Sequence, residues 1–229
     1  MKEYFSFADP ILHVDWGEDG IDEYYTPEYI AAHPEQTQVY VIRDSTGEII
    51  AGAKVAVLTS DDKSRLGLSQ ERFKNDTGAL LEYAAVKEEH RNKKLQADLS
   101  EKRIAWARER GASYICSEAE INNPISIYTK IRDGFVLVSI QQSDPGEGTV
   151  LPYFVELKFI DEERGGGEDK ELPEWREEVV TDDSFEELNT LFDAGWVGVD
   201  IKGADEALEN LTVPWTLVLE RRQVPVQSA

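Results

Sequence analysis

The sequence predicts a mixed α+β or α/β protein, in which a mainly antiparallel sheet is flanked by helices and a small βαββ domain follows. Three observations predict this fold class. First, two apolar stretches flank a turn at residues 44–47. Second, the pattern of residues 79–119 predicts a strand, a turn, a helix and a second strand. Third, residues 161–173 form an acidic, glycine-rich segment that separates two parts of the chain. A chain of 229 residues has room for one ordinary domain and a small second one.

The N-terminal part is predicted to contain a short helix and then a hairpin. Residues 1–36 are rich in aromatic and acidic residues, and proline at position 27 suits the first turn of a helix over residues 27–33. Residues 38–43 and 48–58 are largely apolar and flank the turn sequence Asp-Ser-Thr-Gly. We expect them to form two antiparallel strands.

The central stretch is the part around which the rest of the chain is organised. A polar segment without a clear period, residues 59–77, precedes it and is predicted to be a loop that can contain one helical turn near residues 70–73. An apolar strand at residues 79–86 then leads through a basic turn, residues 89–96, into a helix over residues 97–110. Glycine at position 111 is a typical helix end.

The second half of the chain adds strands, one further helix and the acidic break. Predicted strands lie at residues 113–119, 135–140, 151–159, 175–180, 196–201 and 213–219, and a helix capped by Asp183 or Ser184 carries Leu188, Leu191 and Phe192 on one face. Three consecutive glycines among acidic residues predict a flexible linker. We therefore expect a domain at residues 1–160, a linker at 161–173 and a βαββ domain at 174–229.

The composition limits the partners of the protein. The chain has 46 acidic and 24 basic residues, giving a formal net charge of -22. Such a surface repels phosphate backbones, so nucleic-acid binding is not expected, and cationic partners or substrates are favoured. The same charge also fits a highly soluble surface with no special partner.

Cys116 is the only cysteine, which excludes an intrachain disulfide and favours a reducing compartment. Its apolar surroundings predict a buried structural thiol.

No signal peptide and no membrane span are expected, since no window approaches about 18 apolar residues. His13, His33 and His90 lack paired-ligand spacing, so no metal site is predicted.

The basic turn is the candidate for chemistry. His90, Arg91, Lys93 and Lys94 form the densest positive patch of a strongly acidic protein. A turn that follows a strand and opens a helix presents backbone N–H groups and the positive end of the helix dipole, which together favour a phosphate.

Several motifs in this region stand in a familiar order. The helix ends in Trp-Ala-Arg-Glu-Arg-Gly-Ala at residues 106–112, Asn-Pro at 123–124 precedes Tyr128, and Gly-Phe stands at 134–135. On these residues the chain, over about residues 35–160, resembles the GCN5-related N-acetyltransferase (GNAT) superfamily. The hairpin before the core and the two strands after it also sit where that family has them.

The resemblance implies acetyl-CoA as cofactor. In this family an Arg/Gln-x-x-Gly-x-Gly/Ala turn binds its pyrophosphate, which implies the following binding residues here: Arg91, Asn92, Lys93, Lys94, Leu95, Gln96 and Asn123. Arg91 keeps the leading arginine, but Lys94 and Gln96 replace small residues. Since glycine lets the backbone approach phosphates, either the cradle is lost or the ammonium of Lys94 takes its place.

The resemblance also implies catalytic roles. Tyr128 resembles the tyrosine that protonates the departing thiolate of CoA, and Glu82 lies near the position where some members place a base. Aligned without gaps, Lys130 stands at the tyrosine position instead. Two other interpretations stay open: Tyr128 can be a core residue, and Glu82 can be a strand residue that faces water.

Two functions are compatible with these patterns. One is an acetyl-CoA-dependent N-acetyltransferase acting on a small amine or a protein amine in the cytoplasm. The alternative is a catalytically inactive GNAT-fold structural or interaction protein, for example a component of a phage virion, acting as a homo-oligomer or in a larger assembly. The C-terminal part, with Gly-Trp at 195–196 and Leu-Glu-Arg at 219–221, resembles a small bacterial and phage domain family of unknown function, which implies protein partners.

Overall fold

The computed structural model describes residues 31–68, 73, 76–91, 93–142, 152–160, 175–179, 185–203 and 215–221. It contains the elements β1 (Thr37–Arg43), β2 (Ile49–Val57), α1 (Ser60–Arg65), β3 (Gly78–Leu80), β4 (Ala84–Val86), α2 (Leu95–Glu109), β5 (Tyr114–Glu120), α3 (Pro124–Arg132), β6 (Val136–Gln142), β7 (Pro152–Phe159), β8 (Trp175–Val179), α4 (Phe185–Asp193), β9 (Trp196–Lys202) and β10 (Thr216–Arg221). The predicted mixed fold, with mainly antiparallel strands and flanking helices, is confirmed.

Two compact units divide the chain, and their residues alternate along the sequence. Unit 1 comprises Met1–Leu58 and Thr77–Ile115, and unit 2 comprises Thr59–Asp76 and Cys116–Ala229. Strand β5 therefore begins in unit 1 and continues in unit 2.

Unit 1 begins with the predicted hairpin. β1 pairs antiparallel with β2, with Tyr40 opposite Ala53 in the register. The turn between them is closed by Asp44, whose carboxylate accepts hydrogen bonds from the backbone N–H groups of Thr46 and Glu48 at 2.9 and 3.0 Å. Gly47, with a φ of 91°, supplies the left-handed residue that the turn needs. The hairpin is thus set locally by its turn residues.

The strand predicted at residues 79–86 is interrupted. β3 pairs with β2 so that Leu80 faces Ala56, and β4 pairs with the same strand so that Ala84 faces Ala53. Three residues between Leu80 and Ala84 therefore stand against two residues of β2, which is a β-bulge with one extra residue. The extra residue lies within residues 81–83, which include Glu82.

Helix α2 covers the hairpin of unit 1. Its Leu99 is fully buried against the small residues Ala51 and Ala53 of β2, which let the helix approach closely. At its end Arg110 lies 3.8 Å from the centre of the Trp106 ring and donates hydrogen bonds to the carbonyl oxygens of Pro34 and Glu35. The Trp-Ala-x-x-Arg-Gly motif thus anchors the helix end by packing and hydrogen bonding.

Unit 2 is built on strands in the order β5-β7-β6-β9-β10-β8. β6 pairs antiparallel with β7 on one side and with β9 on the other. Helices α3 and α4 share one apolar core with these strands, including Ile127, Phe154, Phe192 and Leu217. Phe154 meets Phe192 edge to face, with ring centres 6.4 Å apart. The C-terminal strands and α4 therefore contribute to the same core as α3, β6 and β7.

The segment at residues 59–76 differs from its prediction as a loop. It contains the six-residue helix α1, which starts with a capping box: the Asp62 N–H donates to the Thr59 hydroxyl, and the Asp62 carboxylate accepts from the Thr59 N–H. None of its helical residues is buried, so no apolar period marks the helix in the sequence. Leu66, Leu68 and Phe73, which follow α1, are buried.

Several predictions fall outside the described residues, namely most of the helix at 27–33 and the linker at 161–173. The boundaries of the predicted domains at 1–160 and 174–229 stay a prediction. The predicted burial of Cys116 is confirmed, since its side chain is fully buried. None of the helices in the described ranges is long and apolar enough to cross a membrane.

Candidate functional site

The residues predicted to bind or catalyse divide between the two units. Glu82 and the basic turn belong to unit 1, whereas Asn123 and Tyr128 belong to unit 2. Asn92 lies outside the described residues. Each group is described within its own unit.

Lys94 is the most unusual residue of the turn. It precedes the first residue of α2 and has a φ of 61° and a ψ of 12°, the left-handed conformation. Among the described residues it is the one non-glycine side chain with a positive φ. This conformation costs an L-residue about 1–2 kcal/mol and is usually left to glycine. The backbone therefore keeps a glycine-like geometry at the position where the GNAT motif has its first glycine.

The turn presents its cations to solvent. Arg91, Lys93 and Lys94 are exposed, and the Lys93 ammonium lies 3.4 Å from Nδ1 of His90. Lys87, just before the turn, forms an ion pair with Glu48 instead. The three exposed cations give this part of unit 1 a local positive charge within a protein of net charge -22.

The first turn of α2 can present backbone donors. Lys94 makes no capping hydrogen bond with its side chain, so no side chain of the cap residue occupies the first N–H groups of the helix. The Leu95 side chain packs against the core of unit 1. Only its backbone N–H could therefore bind a ligand. Gln96 is exposed, so its long side chain projects into solvent.

Glu82 lies in the bulge and is paired with a lysine. Its carboxylate lies 2.6 Å from the ammonium of Lys54 on β2, and the two side chains are 9% and 3% exposed. The alternative that Glu82 faces water is therefore wrong. Burial of two charges is costly unless they are paired, which explains why the carboxylate and the ammonium meet.

Arg103 holds the bulge from the helix side. Its guanidinium is 1% exposed and donates from Nη1 to the carbonyl oxygens of Glu82, at 2.9 Å, and of Lys54, at 3.3 Å. A buried arginine bound to backbone carbonyls fixes the chain by charge-assisted hydrogen bonds. Arg103 thus joins α2 to the bulged strand and to β2.

In unit 2, Asn123 caps helix α3. Its side-chain oxygen accepts a hydrogen bond from the Ser126 N–H at 3.1 Å, and Pro124 occupies the first helical position. The capping bond uses the amide oxygen and leaves the NH₂ group of the side chain available to a ligand.

Tyr128, the candidate proton donor, and Lys130, which stands at the ungapped position of the family tyrosine, differ in environment. Tyr128 is half-buried against the core of unit 2, with the Arg132 guanidinium 5.7 Å from its ring centre. Lys130 is 9% exposed, and its ammonium lies 4.7 Å from the centre of the Phe135 ring. The ring of Tyr128 thus packs as the core interpretation predicted, and Lys130 points inward.

The segment 59–76 is attached to the strands of unit 2 by Arg65. Its guanidinium binds both carboxylate oxygens of Glu118, at 2.7 and 3.3 Å, and the hydroxyl of Tyr153 at 3.3 Å. Burial opposes the charge of Arg65, but the hydrogen bond and charge of Glu118 outweigh it, so its pKa is raised. Burial also raises the pKa of Tyr153. The segment is therefore fixed by specific polar contacts.

Sequence reasoning missed the buried charges Lys54, Arg103, Lys130 and Glu156. Their partners are distant in sequence, so no local pattern marks them. The nearest signal was the position of Arg103 on the face of α2 that carries Leu99 and Trp106, since i, i+4 and i+7 spacing places it with them. Within the described residues no group of three or more His, Cys, Asp or Glu side chains is placed to hold a metal ion.

No protein-family model matches the sequence. No curated protein matches it either. Solved structures do. The NatC complex bound to Gag peptide and CoA matches with a TM-score of 0.50 and 15% identity, over 70% of this chain and 93% of that chain. Naa20 of Chaetomium thermophilum, in complex with a bisubstrate analogue, matches with a TM-score of 0.50 and 17% identity, over 69% of this chain and 84% of that chain.

The chain has the GNAT fold. A GNAT-family acetyltransferase from Streptococcus pneumoniae is also similar, with a TM-score of 0.47 and 16% identity over 69% of this chain and 93% of that chain. The two matches with a TM-score of 0.50 support the fold, and identities of 15% and 17% show nothing about the chemistry of this chain. The predicted resemblance is thus confirmed for the fold.

Proposed function

We propose that the protein is an acyl-CoA-dependent N-acyltransferase that transfers an acetyl group to an amine. The observation that carries this proposal is the left-handed backbone of Lys94 at the start of α2. A strained residue persists where the surrounding structure imposes it, and such residues cluster at ligand sites. A turn that no longer bound a phosphate would have no need for a lysine in a glycine conformation.

The residues of the turn fit a pyrophosphate. Backbone N–H groups at the start of α2, with Lys94 and its exposed neighbours Arg91 and Lys93, would hold the two phosphates by charge-assisted hydrogen bonds. The exposed Gln96 side chain leaves room for this approach by pointing into solvent. Asn123 would contribute its free amide group. Acetyl-CoA, when bound, supplies an activated thioester and a thiolate leaving group.

The remaining roles fall on residues of known environment. Glu82 is proposed to accept the proton of the attacking amine; its carboxylate lies 2.6 Å from the Lys54 ammonium. A bulge takes one residue out of the strand pairing, so backbone amides near Glu82 are proposed to polarise the thioester carbonyl. Tyr128 is proposed to protonate the thiolate. The net charge of -22 favours a cationic amine as acceptor.

Isothermal titration calorimetry with the full-length protein tests the proposal. Acetyl-CoA is expected to bind in the micromolar range, and S-acetylpantetheine, which lacks the phosphates, at least tenfold more weakly. K94A is expected to lower the affinity for acetyl-CoA about tenfold, because one charge-assisted contact is lost. K102A, which removes an exposed lysine further along α2, is the matched control. Absence of heat at millimolar acetyl-CoA would refute the proposal.

A second function is favoured by one observation. Lys130 stands at the ungapped position of the family tyrosine, and its side chain is buried in the core of unit 2 rather than offered to a ligand. A GNAT-fold protein without the acid could serve as a structural or interaction component, for example of a virion. Light scattering and copurification from the native source test this: a strict monomer that copurifies with no other protein counts against it.

A further inference from the structure

One carboxyl group lies in the core of unit 2. Glu156, in the middle of β7, is 0% exposed and lies two residues after the core residue Phe154. Neither of its carboxylate oxygens has a hydrogen-bond partner of good geometry among the described residues. Glutamate is rarely fully buried, and the ionised form is costly there unless it is paired.

The groups around Glu156 come from three neighbouring elements. Helix α3 contributes the ammonium of Lys130, which among the described residues is the charge that acts on the carboxyl, and β5 contributes the hydroxyl of Ser117. β6 places Leu137 opposite Glu156 and has no titratable side chain. Lys158, on β7 itself, donates its ammonium to the carbonyl oxygen of Asp133 instead.

Two opposing effects decide the charge of Glu156. Burial raises the pKa of its carboxyl to about 7, whereas the Lys130 ammonium and, to the least extent, the Ser117 hydroxyl lower it. The Ser117 contact is weak because it falls short of hydrogen-bond geometry. Burial therefore raises the pKa more than the Lys130 ammonium lowers it, and the carboxyl changes its charge near neutral pH.

We propose that α3 is a pH-responsive element, which is released from the strands of unit 2 more readily when Glu156 is ionised. Lifting α3 would admit water to the carboxylate and so remove the cost of burying its charge. Because Asn123 caps α3 and Tyr128 lies on it, the same response would move two residues of the predicted site. This response of α3 does not require acyltransferase activity.

The direction of the response follows from proton linkage. The pKa of Glu156 is higher in the closed state than the ordinary 4.5, so the closed state binds the proton more tightly. Its contribution to stability is fully present below pH 4.5 and is lost as the pH rises through about 7. In that window the opening equilibrium of α3 is expected to increase up to tenfold per pH unit, the limit for release of one proton.

Hydrogen exchange of the full-length protein between pH 5 and 8 tests the proposal. Protection factors, which remove the intrinsic pH dependence of exchange, are measured for the amides of α3. We expect them to fall with rising pH in the wild type and to stay nearly constant in E156Q, which has no charge to gain. E120Q removes an exposed carboxylate of β5 and should behave as the wild type. Parallel pH profiles for wild type and E156Q would overturn the proposal.

Replacing Lys130 provides a second test. A purely structural role of Lys130 would not change the pH dependence of protection. In K130M the cation that lowers the pKa of Glu156 in the closed state is gone, so the fall in protection should continue to a higher pH before it levels off. K158M is its matched control: it removes an ammonium that donates to the carbonyl oxygen of Asp133 at the end of α3, so it should change the level of protection and not the pH at which protection falls. If either variant fails to fold, carbon-detected NMR of the wild-type carboxyl groups decides. A glutamate carboxyl titrating near pH 7 supports the inference, and a spectrum in which every glutamate titrates below pH 6 overturns it.

Discussion

Lys94 adopts a conformation that most side chains avoid, at the position where the GNAT motif has glycine. The side chain adds a cation at the entry to α2, and the backbone retains the geometry of the residue it replaces. The two possible outcomes predicted from the sequence, a lost cradle or a cradle that uses a lysine, are therefore separable. We propose the second, and the left-handed backbone of Lys94 is the observation that supports it.

The first prediction concerns the strain at Lys94. K94G should raise the free energy of unfolding by about 1 kcal/mol, because glycine adopts a φ of 61° without steric cost. K94A should leave stability within about 0.5 kcal/mol of the wild type, since alanine keeps the strain and only the exposed charge is lost. Urea denaturation at neutral pH measures both. A K94G protein no more stable than K94A would show that the turn is not strained.

At single positions the sequence predicted surface features better than buried charges. The exposed cations of the turn could be identified because they form a run of neighbours. The pairing of Lys54 with Glu82 could not, since it joins residues on two strands and depends on a one-residue bulge. Strand alternation would place Glu82 on the solvent face, and the bulge changes where its side chain points.

Among the elements, hairpins and long helices were predictable and short or irregular ones were not. β1 and β2 carry their own turn signal around Asp44, and α2 has an apolar face and a glycine after its end. α1 depends on a capping box without buried residues, so a periodicity search passes over it. The start of α2 lies two residues earlier than predicted, because the left-handed Lys94 ends the turn there.

The second prediction concerns the contact of β9 with β6. Gly198 faces Leu137 in the register, and a Cβ added at Gly198 would lie 2.9 Å from the Cβ of Leu137. G198A should therefore lower the free energy of unfolding by about 1–3 kcal/mol through overpacking. D200A, at an exposed position of the same strand, should cost less than about 1 kcal/mol.

Thermal denaturation of both variants provides the measurement. The double variant L137A/G198A should lose less stability than the sum of the two single variants, because the smaller side chain makes room for the new methyl group. Additive effects would mean that the two residues do not press on each other.

For the whole molecule, the fold class followed from the order of elements, and the organisation of the core did not. Hydrophobic period and turn residues predicted the βαββ pattern of the last 56 residues, but they could not show which strand edge receives it. The pairing of β9 with β6 joins residues about 60 positions apart, and register at that distance is set by packing.

The third prediction concerns a truncated protein that ends at residue 160, the predicted end of the first domain. Removing α4, β9 and β10 would expose apolar residues of unit 2 such as Phe154 and Ile127. We expect a melting temperature at least 10 °C lower or no cooperative transition, because a large apolar area loses its cover. Deleting only the three glycines of the linker is the control. A truncated protein as stable as the full chain would support an independent C-terminal domain.

The alternation of the two units along the chain has a consequence for synthesis on the ribosome. Residues 59–76 emerge before the rest of unit 1 but belong with partners that begin at residue 116. Buried side chains of this segment, Leu66, Leu68 and Phe73, therefore stay without their final neighbours while about forty further residues are made. Contacts so distant in sequence slow folding, and these three apolar side chains of an otherwise polar segment stay without their cover until the later residues of unit 2 have been made.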